Sequence, residues 1–280
     1  MINKGSNILI VGLGLIGGCY AMKLSSLGYK VYAIDIDKDA LEYARNHNII
    51  SNELIGDEEL IIKADYIILC LYPLANIEFI KTYKNKIKPS CIISDVSGIK
   101  SNYVEIIQNE ISNEFISMHP MAGKEKSGVY YSDPSIFLKA NMLIIKTDKN
   151  TFEGINFAIE LTRLLEFNHY EILTISEHDE IVSFLSQLPH AIAVALMTSH
   201  NNDSLSKFTG DSFNDLTRIA KINENLWSEL FILNKENLIN NIDSFINSLN
   251  EIKDNIQKEN INELKKIFKE STKRRKAFEK

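Results

Sequence analysis

A short apolar run followed at once by a glycine-rich turn constrains the fold of this 280-residue chain more than any other feature. Residues 8–11 read ILIV, which is typical of a strand buried in a parallel sheet, and residues 12–18 read GLGLIGG. Gly12 permits a tight turn, Gly14 lets a ligand approach the backbone, and Gly17 lets the following helix pack closely on the strand. The pattern predicts a strand, a turn and a helix whose N-terminus faces the phosphates of a dinucleotide.

An acidic residue at the end of the next predicted strand extends this pattern. Residues 29–34 read YKVYAI and are followed by Asp35. A carboxylate here accepts hydrogen bonds from ribose hydroxyls and repels a 2′-phosphate, so the sequence predicts NAD in preference to NADP. The alternative, a glycine turn beside an unrelated acid, would have to explain each of these features separately. The predicted cofactor contacts are Gly12, Gly14, Leu15, Ile16, Gly17 and Asp35.

Strands and helices alternate through the first half of the chain and then give way to helices. Apolar runs predict further strands at residues 64–71, 91–96, 115–118 and 141–146. Beyond them, apolar residues recur mainly at helical spacing. We therefore expect an α/β Rossmann domain over residues 1–150, with its boundary near Asn150, and an all-α domain over residues 151–280.

Composition and charge exclude several classes of protein. The formal net charge of -6 argues against a general nucleic-acid or anionic-membrane surface. Cys19, Cys70 and Cys91 are widely spaced and lack the paired arrangement of a zinc or redox site, so we expect reduced thiols and no metal. No uninterrupted apolar run approaches the ~20 residues of a membrane span, and the N-terminus does not resemble a signal peptide. These features predict a cytoplasmic, unprocessed protein.

The candidate catalytic residue is His119, in the turn-rich stretch SMHPMAGKEKSG at residues 117–128. An imidazole with a reference pKa of about 6.5 can accept a proton near neutral pH. A loop that leaves a strand is also where a Rossmann sheet presents its chemistry, so we interpret His119 as the reacting base. The alternative is a structural histidine in a proline and glycine turn.

A long apolar helix with an internal proline is predicted over residues 176–199. Pro189 removes one backbone hydrogen bond and forces a bend, which would aim Ser186 and His190 into a cavity. A packing kink beside a buried histidine is the alternative. Further on, Arg218 is a solitary arginine among apolar neighbours, which favours bidentate binding of a carboxylate.

Two further points about the helical half stay open. An ion pair with Asp215 or Glu229 would also account for Arg218. The apolar stripe over residues 226–278 is typical of a core or of an oligomer interface.

Taken together, the motifs resemble the prephenate dehydrogenase family, which also contains arogenate and cyclohexadienyl dehydrogenases. The resemblance covers nearly the whole chain and is carried by residues 12–18, 94–100, 119–128, 185–190 and 217–220 together with Trp227. It implies a homodimer that intertwines through the helical domain. It also implies a small-molecule substrate, prephenate or arogenate, and no nucleic acid or membrane partner. The implied reaction is the NAD-dependent oxidative decarboxylation of prephenate.

The resemblance also assigns roles to individual residues. His119 would bind the ring C4 hydroxyl of the substrate, and Arg218 would bind a carboxylate. Trp227 matches a residue that the neighbouring subunit can contribute. Glu125 could pair with the ammonium of arogenate, while Lys124 could favour the keto acid prephenate, which we prefer. The implied catalytic residues are His119, His190, Arg218, Ser186, Lys100 and Glu125.

The chain departs from the family pattern at two positions. Gly98 stands where the family often has serine, and Ser97 lies one position earlier, which puts a hydroxyl contact to substrate and nicotinamide in question. Gln187 occupies a place where some members have histidine, and we assign it no role. Two other functions stay open: a β-hydroxyacid dehydrogenase, and a catalytically inactive NAD-sensing protein, for which Gly98 is the supporting feature.

Overall fold

The computed structural model describes residues 2–51, 53, 55–201 and 203–279. They form a seven-stranded sheet with helices on both faces, followed by a helical region. The strands are β1 Asn7–Val11, β2 Lys30–Ile34, β3 Tyr66–Leu69, β4 Ile92–Asp95, β5 Phe115–Pro120, β6 Asn141–Ile145 and β7 His169–Leu173. The helices of the sheet region are α1 Leu15–Ser26, α2 Lys38–Asn46, α3 Asp57–Lys63, α4 Pro73–Tyr83, α5 Val104–Glu110 and α6 Phe152–Leu164.

The glycine turn lies at the point where the order of the strands in the sheet reverses. The order is β2-β1-β3-β4-β5-β6-β7, and β1 pairs in parallel with β2 on one side and β3 on the other. The chain therefore winds outward in both directions from β1. In open α/β sheets a crevice forms at this reversal, outside the carboxyl ends of the strands, and ligands bind there. The fold confirms the predicted α/β domain.

His119 lies on a strand, which corrects the prediction that it lies in a loop after one. The strand β6 runs antiparallel to β5, and its register pairs His119 with Leu143 and Pro120 with Met142. This ladder extends β5 through the histidine, so the imidazole is attached to the sheet. A catalytic side chain on a strand is held more rigidly than one on a loop.

The sheet continues past the boundary that we expected near Asn150. Helix α6 buries Phe157, Ala158 and Leu161 in the core of the sheet, and β7 pairs in parallel with β6. The strand β7 is therefore the last strand of the sheet, and this region ends at Leu173. The apolar face of α6 packs against the sheet, and this contact keeps α6 and β7 in the sheet region.

The helical region begins with one long interrupted helix. Its parts are α7 Ile175–Val182, a π-helical turn Ser183–Gln187 and α8 Leu188–Thr198. The wide turn lies directly before Pro189, which cannot donate a backbone hydrogen bond, so the predicted interruption is present. The remaining helices are α9 Asp211–Thr217, α10 Glu224–Leu233, α11 Lys235–Gln257 and α12 Ile261–Lys276.

The segment Ile175–Thr198 is long and apolar enough to cross a membrane by length and composition, and only 28% of its 18-residue apolar window is buried in the single chain. It is the one such helix in the described ranges. Many large apolar side chains of the helical region are exposed in the single chain. They include Phe184, Leu185, Met197, Ile232, Ile239, Ile246, Leu249, Ile256 and Phe268. An apolar surface of this kind needs a cover.

The glycine turn yields a prediction about stability. A Cβ on Gly17 would lie 1.9 Å from the carbonyl oxygen of Gly12, whereas a Cβ on Gly14 would meet nothing within 4 Å. We expect Gly17→Ala to destabilise the fold by about 3 kcal/mol and to lower Tm by roughly 5–10 °C. Gly14→Ala is the matched control, and its Tm in a thermal melt should stay within about 2 °C of wild type. Equal melting temperatures for the two variants would contradict the close packing of α1 on β1.

Candidate functional site

The glycine turn and Asp35 are joined in one structure at the carboxyl ends of β1 and β2. Gly12 has φ of +100°, and its N–H donates to the carbonyl of Ile34 at 2.8 Å. The carboxylate of Asp35 accepts the N–H of Leu13 at 2.5 Å. Open space beside Gly14, which precedes the first turn of α1, leaves room for a phosphate to approach the backbone. The geometry therefore fits a dinucleotide.

His119 belongs to a chain of three hydrogen-bonded side chains. Its Nδ1 lies 2.9 Å from Nε2 of His178, and Nδ1 of His178 lies 2.7 Å from Oδ1 of Asp179. A carboxylate only accepts, so Nδ1 of His178 carries a proton and Nε2 of His178 accepts from Nδ1 of His119. Nε2 of His119 is then left without a proton. The chain of bonds thus assigns the tautomer of a general base.

Burial and neighbouring charges keep both imidazoles neutral. The pKa of His119 lies well below its usual value because of burial, the adjacent His178 and the ammonium of Lys100. Burial also lowers the pKa of His178 and outweighs the opposing effect of Asp179. For Asp179, burial acts to raise the pKa, but the hydrogen bonds from His178 and Ser101 outweigh it and lower the pKa. A neutral base beside an ionised carboxylate results.

Gly98 lies next to the free nitrogen of His119. A Cβ at this position would be 3.6 Å from Nε2 of His119 and 3.5 Å from Cδ1 of Leu230, both ordinary contact distances. A Cβ would therefore fit, and its absence leaves a gap of that size beside Nε2 of His119. Ser97 does not replace the missing hydroxyl, because its side chain is buried and accepts a hydrogen bond from Asn76.

Lys100 is buried away from the space that a ligand could occupy, which corrects its predicted place among the ligand contacts. Its side chain is 0% exposed. The ammonium lies 3.2 Å from Oδ2 of Asp95, 2.7 Å from Oγ of Ser117 and 2.8 Å from the carbonyl oxygen of Met118. All of its donors are therefore directed at the protein interior.

The kinked helix presents His190, and α10 covers it. Nδ1 of His190 donates to the carbonyl of Ser186 at 2.8 Å, which leaves Nε2 as an acceptor. The indole of Trp227 stacks on the imidazole, with ring centroids 3.7 Å apart. Burial lowers the pKa of His190. Ser186 therefore contacts His190 through its backbone carbonyl. The predicted contribution of Trp227 to the site of a partner subunit stays a prediction.

Helix α10 brings the two histidines to one site. Trp227 and Leu230 lie one turn apart on it, and the first contacts His190 while the second packs by Gly98 and His119. Gln187 fastens the kinked helix to this face, since its side chain donates to the carbonyl of Leu230 at 3.3 Å.

The charged residues of the loop after β5 have partners. Glu125 forms an ion pair with Arg218, whose side chain is 64% exposed, and both charges influence His190. The partner is thus neither Asp215 nor Glu229, the acids that we considered from the sequence. The ammonium of Lys124 lies 3.2 Å from Asp133. No group of three or more side chains that could hold a metal occurs among the described residues.

The residues that the sequence reasoning missed are His178 and Asp179. They are adjacent in the first turns of α7. His178 contacts His119, which lies 59 positions earlier in the chain. The only signal was a histidine followed by an acid, which is too common to indicate a role. Leu230 was missed as well, because its sequence context is that of any core leucine.

Comparisons with known proteins agree with this geometry. Residues 20–168 match the nucleotide-binding domain of prephenate dehydrogenase, and residues 174–270 match its dimerization domain. Prephenate dehydrogenase of Lactococcus lactis subsp. cremoris (strain MG1363) is 29% identical over 97% of this chain and 77% of that protein. Cyclohexadienyl dehydrogenase of Zymomonas mobilis subsp. mobilis (strain ATCC 31821 / ZM4 / CP4) is 25% identical over 97% of this chain and 96% of that protein.

A solved structure shows the same architecture. Prephenate dehydrogenase from A. aeolicus, in complex with hydroxyphenyl propionate and NAD+, superposes with a TM-score of 0.89 at 28% identity, over 98% of this chain and 99% of that one. The two matched domains span most of the sequence. The chain therefore belongs to the prephenate dehydrogenase family, as its motifs predicted.

Proposed function

We propose that this protein catalyses the NAD-dependent oxidative decarboxylation of prephenate to 4-hydroxyphenylpyruvate, a step of tyrosine biosynthesis. One observation carries the proposal: the chain Asp179, His178, His119 ends in an unprotonated Nε2 beside the space at Gly98. Membership of the family supports the reaction class, and the named relatives support NAD and prephenate.

The cofactor would be held by the glycine turn, the first turn of α1 and Asp35. The pyrophosphate would approach the backbone at Gly14, with the N–H groups of Leu15 and Ile16 nearby. The carboxylate of Asp35 would accept bonds from the ribose hydroxyls and would repel a 2′-phosphate. When bound, NAD would supply the acceptor for the hydride that leaves ring carbon C4 of the substrate.

The protein's part in the chemistry centres on one proton. Nε2 of His119 takes the proton of the C4 hydroxyl as the hydride leaves C4. Loss of the C1 carboxylate as carbon dioxide makes the ring aromatic, and His119 returns the proton to the phenolate oxygen of the product. The imidazolium that forms donates through Nδ1 to His178, and the negative charge of Asp179 stabilises it through that ring. His178 and Asp179 are buried, which strengthens the hydrogen bond between them.

Arg218 would bind a carboxylate of the substrate. In the structure its guanidinium is paired with Glu125, and its exposure leaves it accessible to an incoming anion. The substrate carboxylate would join or replace Glu125 there. His190, neutral and stacked on Trp227, offers Nε2 as a further polar contact at the same face.

We prefer prephenate to arogenate because prephenate dehydrogenases are among the relatives, such as that of Lactococcus lactis. Glu125 does not separate the two substrates: it is paired with Arg218 in the structure, but a substrate carboxylate that replaced it there would release it to pair with an ammonium. Lys124 does not support this preference either, because the ammonium of its side chain is paired with Asp133. Dual specificity is the second candidate, favoured by the likeness to a cyclohexadienyl dehydrogenase.

We also propose that the protein is a cytoplasmic homodimer. The exposed apolar side chains of α8, α10, α11 and α12 lie in the region that matches a dimerization domain. A second copy would cover them and would place the apolar segment Ile175–Thr198 in an interface.

The function is tested by following NADH at 340 nm with prephenate, arogenate or no substrate, and then with NADP. We expect turnover that depends on prephenate and NAD, with arogenate and NADP poor replacements. Equal turnover of both ring compounds would establish dual specificity. NAD binding without turnover of either compound would contradict the proposal and support a sensing protein.

His119→Asn tests the base. Asparagine can form hydrogen bonds but cannot take up a proton, so we expect kcat to fall by about 10²- to 10⁴-fold. Calorimetry should show an NAD affinity within a few-fold of wild type. A kcat within a few-fold of wild type would remove His119 from this role.

His178→Phe tests the histidine chain. The phenyl ring fills similar space but cannot accept the Nδ1 proton of His119, which is then buried without a partner. The expected loss of kcat is about 10- to 100-fold at a nearly unchanged KM, measured by steady-state kinetics. His169→Phe replaces an exposed histidine and is the matched control. Identical kinetics of the two variants would exclude a role for His178.

Arg218→Ala tests carboxylate binding. Loss of a charge-assisted contact of about 1.5–3 kcal/mol should raise the KM for prephenate by about 10- to 100-fold. The KM for NAD should remain near the wild-type value. An unchanged KM for prephenate would rule out this contact.

A further inference from the structure

The loop between β4 and α5 forms hydrogen bonds near both ends of the histidine chain. At one end the ammonium of Lys100 donates hydrogen bonds to the strand that carries His119. At the other end the backbone N–H groups of Lys100 and Ser101 donate to the carboxylate of Asp179, at 3.1 and 2.7 Å. The same short segment thus bonds to the residues directly before His119 and to Asp179.

The contact with the strand is made by a buried charge cluster. The ammonium of Lys100 bonds Oγ of Ser117 and the carbonyl of Met118, the two residues that directly precede His119. Oδ1 of Asp95 accepts the Ser117 hydroxyl at 2.5 Å and the Met118 N–H at 3.2 Å. Both charged side chains are 0% exposed. A buried pair with all its bonds made holds its neighbours in one arrangement.

We propose that Lys100 is a positioning residue for His119: its ammonium fixes the end of β5, and its backbone N–H, with that of Ser101, fixes Asp179. It acts on the reaction through the histidine and never contacts the substrate. The inference rests on the proposed role of His119 as the base.

The charge of Lys100 has a second consequence. The titratable groups around His119 are His178 and Asp179 from α7, and Lys100 and Asp95 from the opposite side. The positive charge of Lys100 acts to lower the pKa of both histidines. The base therefore remains neutral to a lower pH than an ordinary histidine, and removal of the ammonium should move its titration to higher pH.

The test compares the Lys100→Met variant and the double variant D95N/K100M with wild type. The double variant removes both charges, so it leaves no buried ion without a partner. NMR titration of the His119 imidazole, identified by its absence in His119→Asn, reports the base even if no substrate is turned over. The acid limb of kcat/KM for prephenate reports the same group during catalysis.

We expect Lys100→Met to titrate His119 at higher pH and to shift the acid limb the same way. The double variant also loses the negative charge of Asp95, so its shift should be smaller, and kcat should fall about 10- to 100-fold in both variants. The KM for NAD should not change. Lys63→Met replaces an exposed lysine and should match wild type in every measurement. An unshifted titration in Lys100→Met, or a kcat equal to wild type in both variants, would overturn the proposal.

Ser117→Ala keeps the test decisive if both lysine variants fail to fold. It removes one bond between Lys100 and the strand while both charges remain. We expect a several-fold loss of kcat with no shift in the titration of His119. A kcat equal to wild type would overturn the positioning role.

Discussion

The hydrogen bond between the two imidazoles is the interaction on which the account of this protein depends. It joins His119 on β5 to His178 on the first helix of the helical region. Without it, the tautomer of His119 would be undefined, and the imidazole on the sheet would have no bond to the helical region through His178. Because Asp179 is fixed by two backbone N–H groups, the direction of each proton in the chain follows.

The rest of the structure supports this pair from several sides. The antiparallel strand β6 extends β5 to include the histidine, the buried Asp95 and Lys100 hold the residues before it, and α10 packs Leu230 beside it. The π-helical turn places His190 on the same face of α10 as the base. Rigid elements therefore position both histidines, while the ion pair of Glu125 and Arg218 lies at the exposed rim.

Local features of the fold and the site could be predicted from the sequence, and features that depend on distant contacts could not. The glycine turn and Asp35 follow from a contiguous pattern, so their geometry was expected. The roles of His178 and Asp179 depend on a contact with a strand 59 positions away, which no local pattern encodes. The resemblance placed Lys100 in the site, and only its buried partner Asp95 shows that its side chain is directed into the protein. The extent of the sheet was underestimated because β7 is largely exposed and carries polar residues among its apolar ones.

A crystal structure of the protein with NAD and hydroxyphenyl propionate would show directly whether His119 is the base. We expect the ring hydroxyl to lie about 3 Å from Nε2 of His119, beside Gly98, with the bond between the imidazoles intact. The carboxylate of the ligand should lie on Arg218. A ring hydroxyl bound to His190 instead, with His119 remote from the ligand, would contradict the assignment of the base.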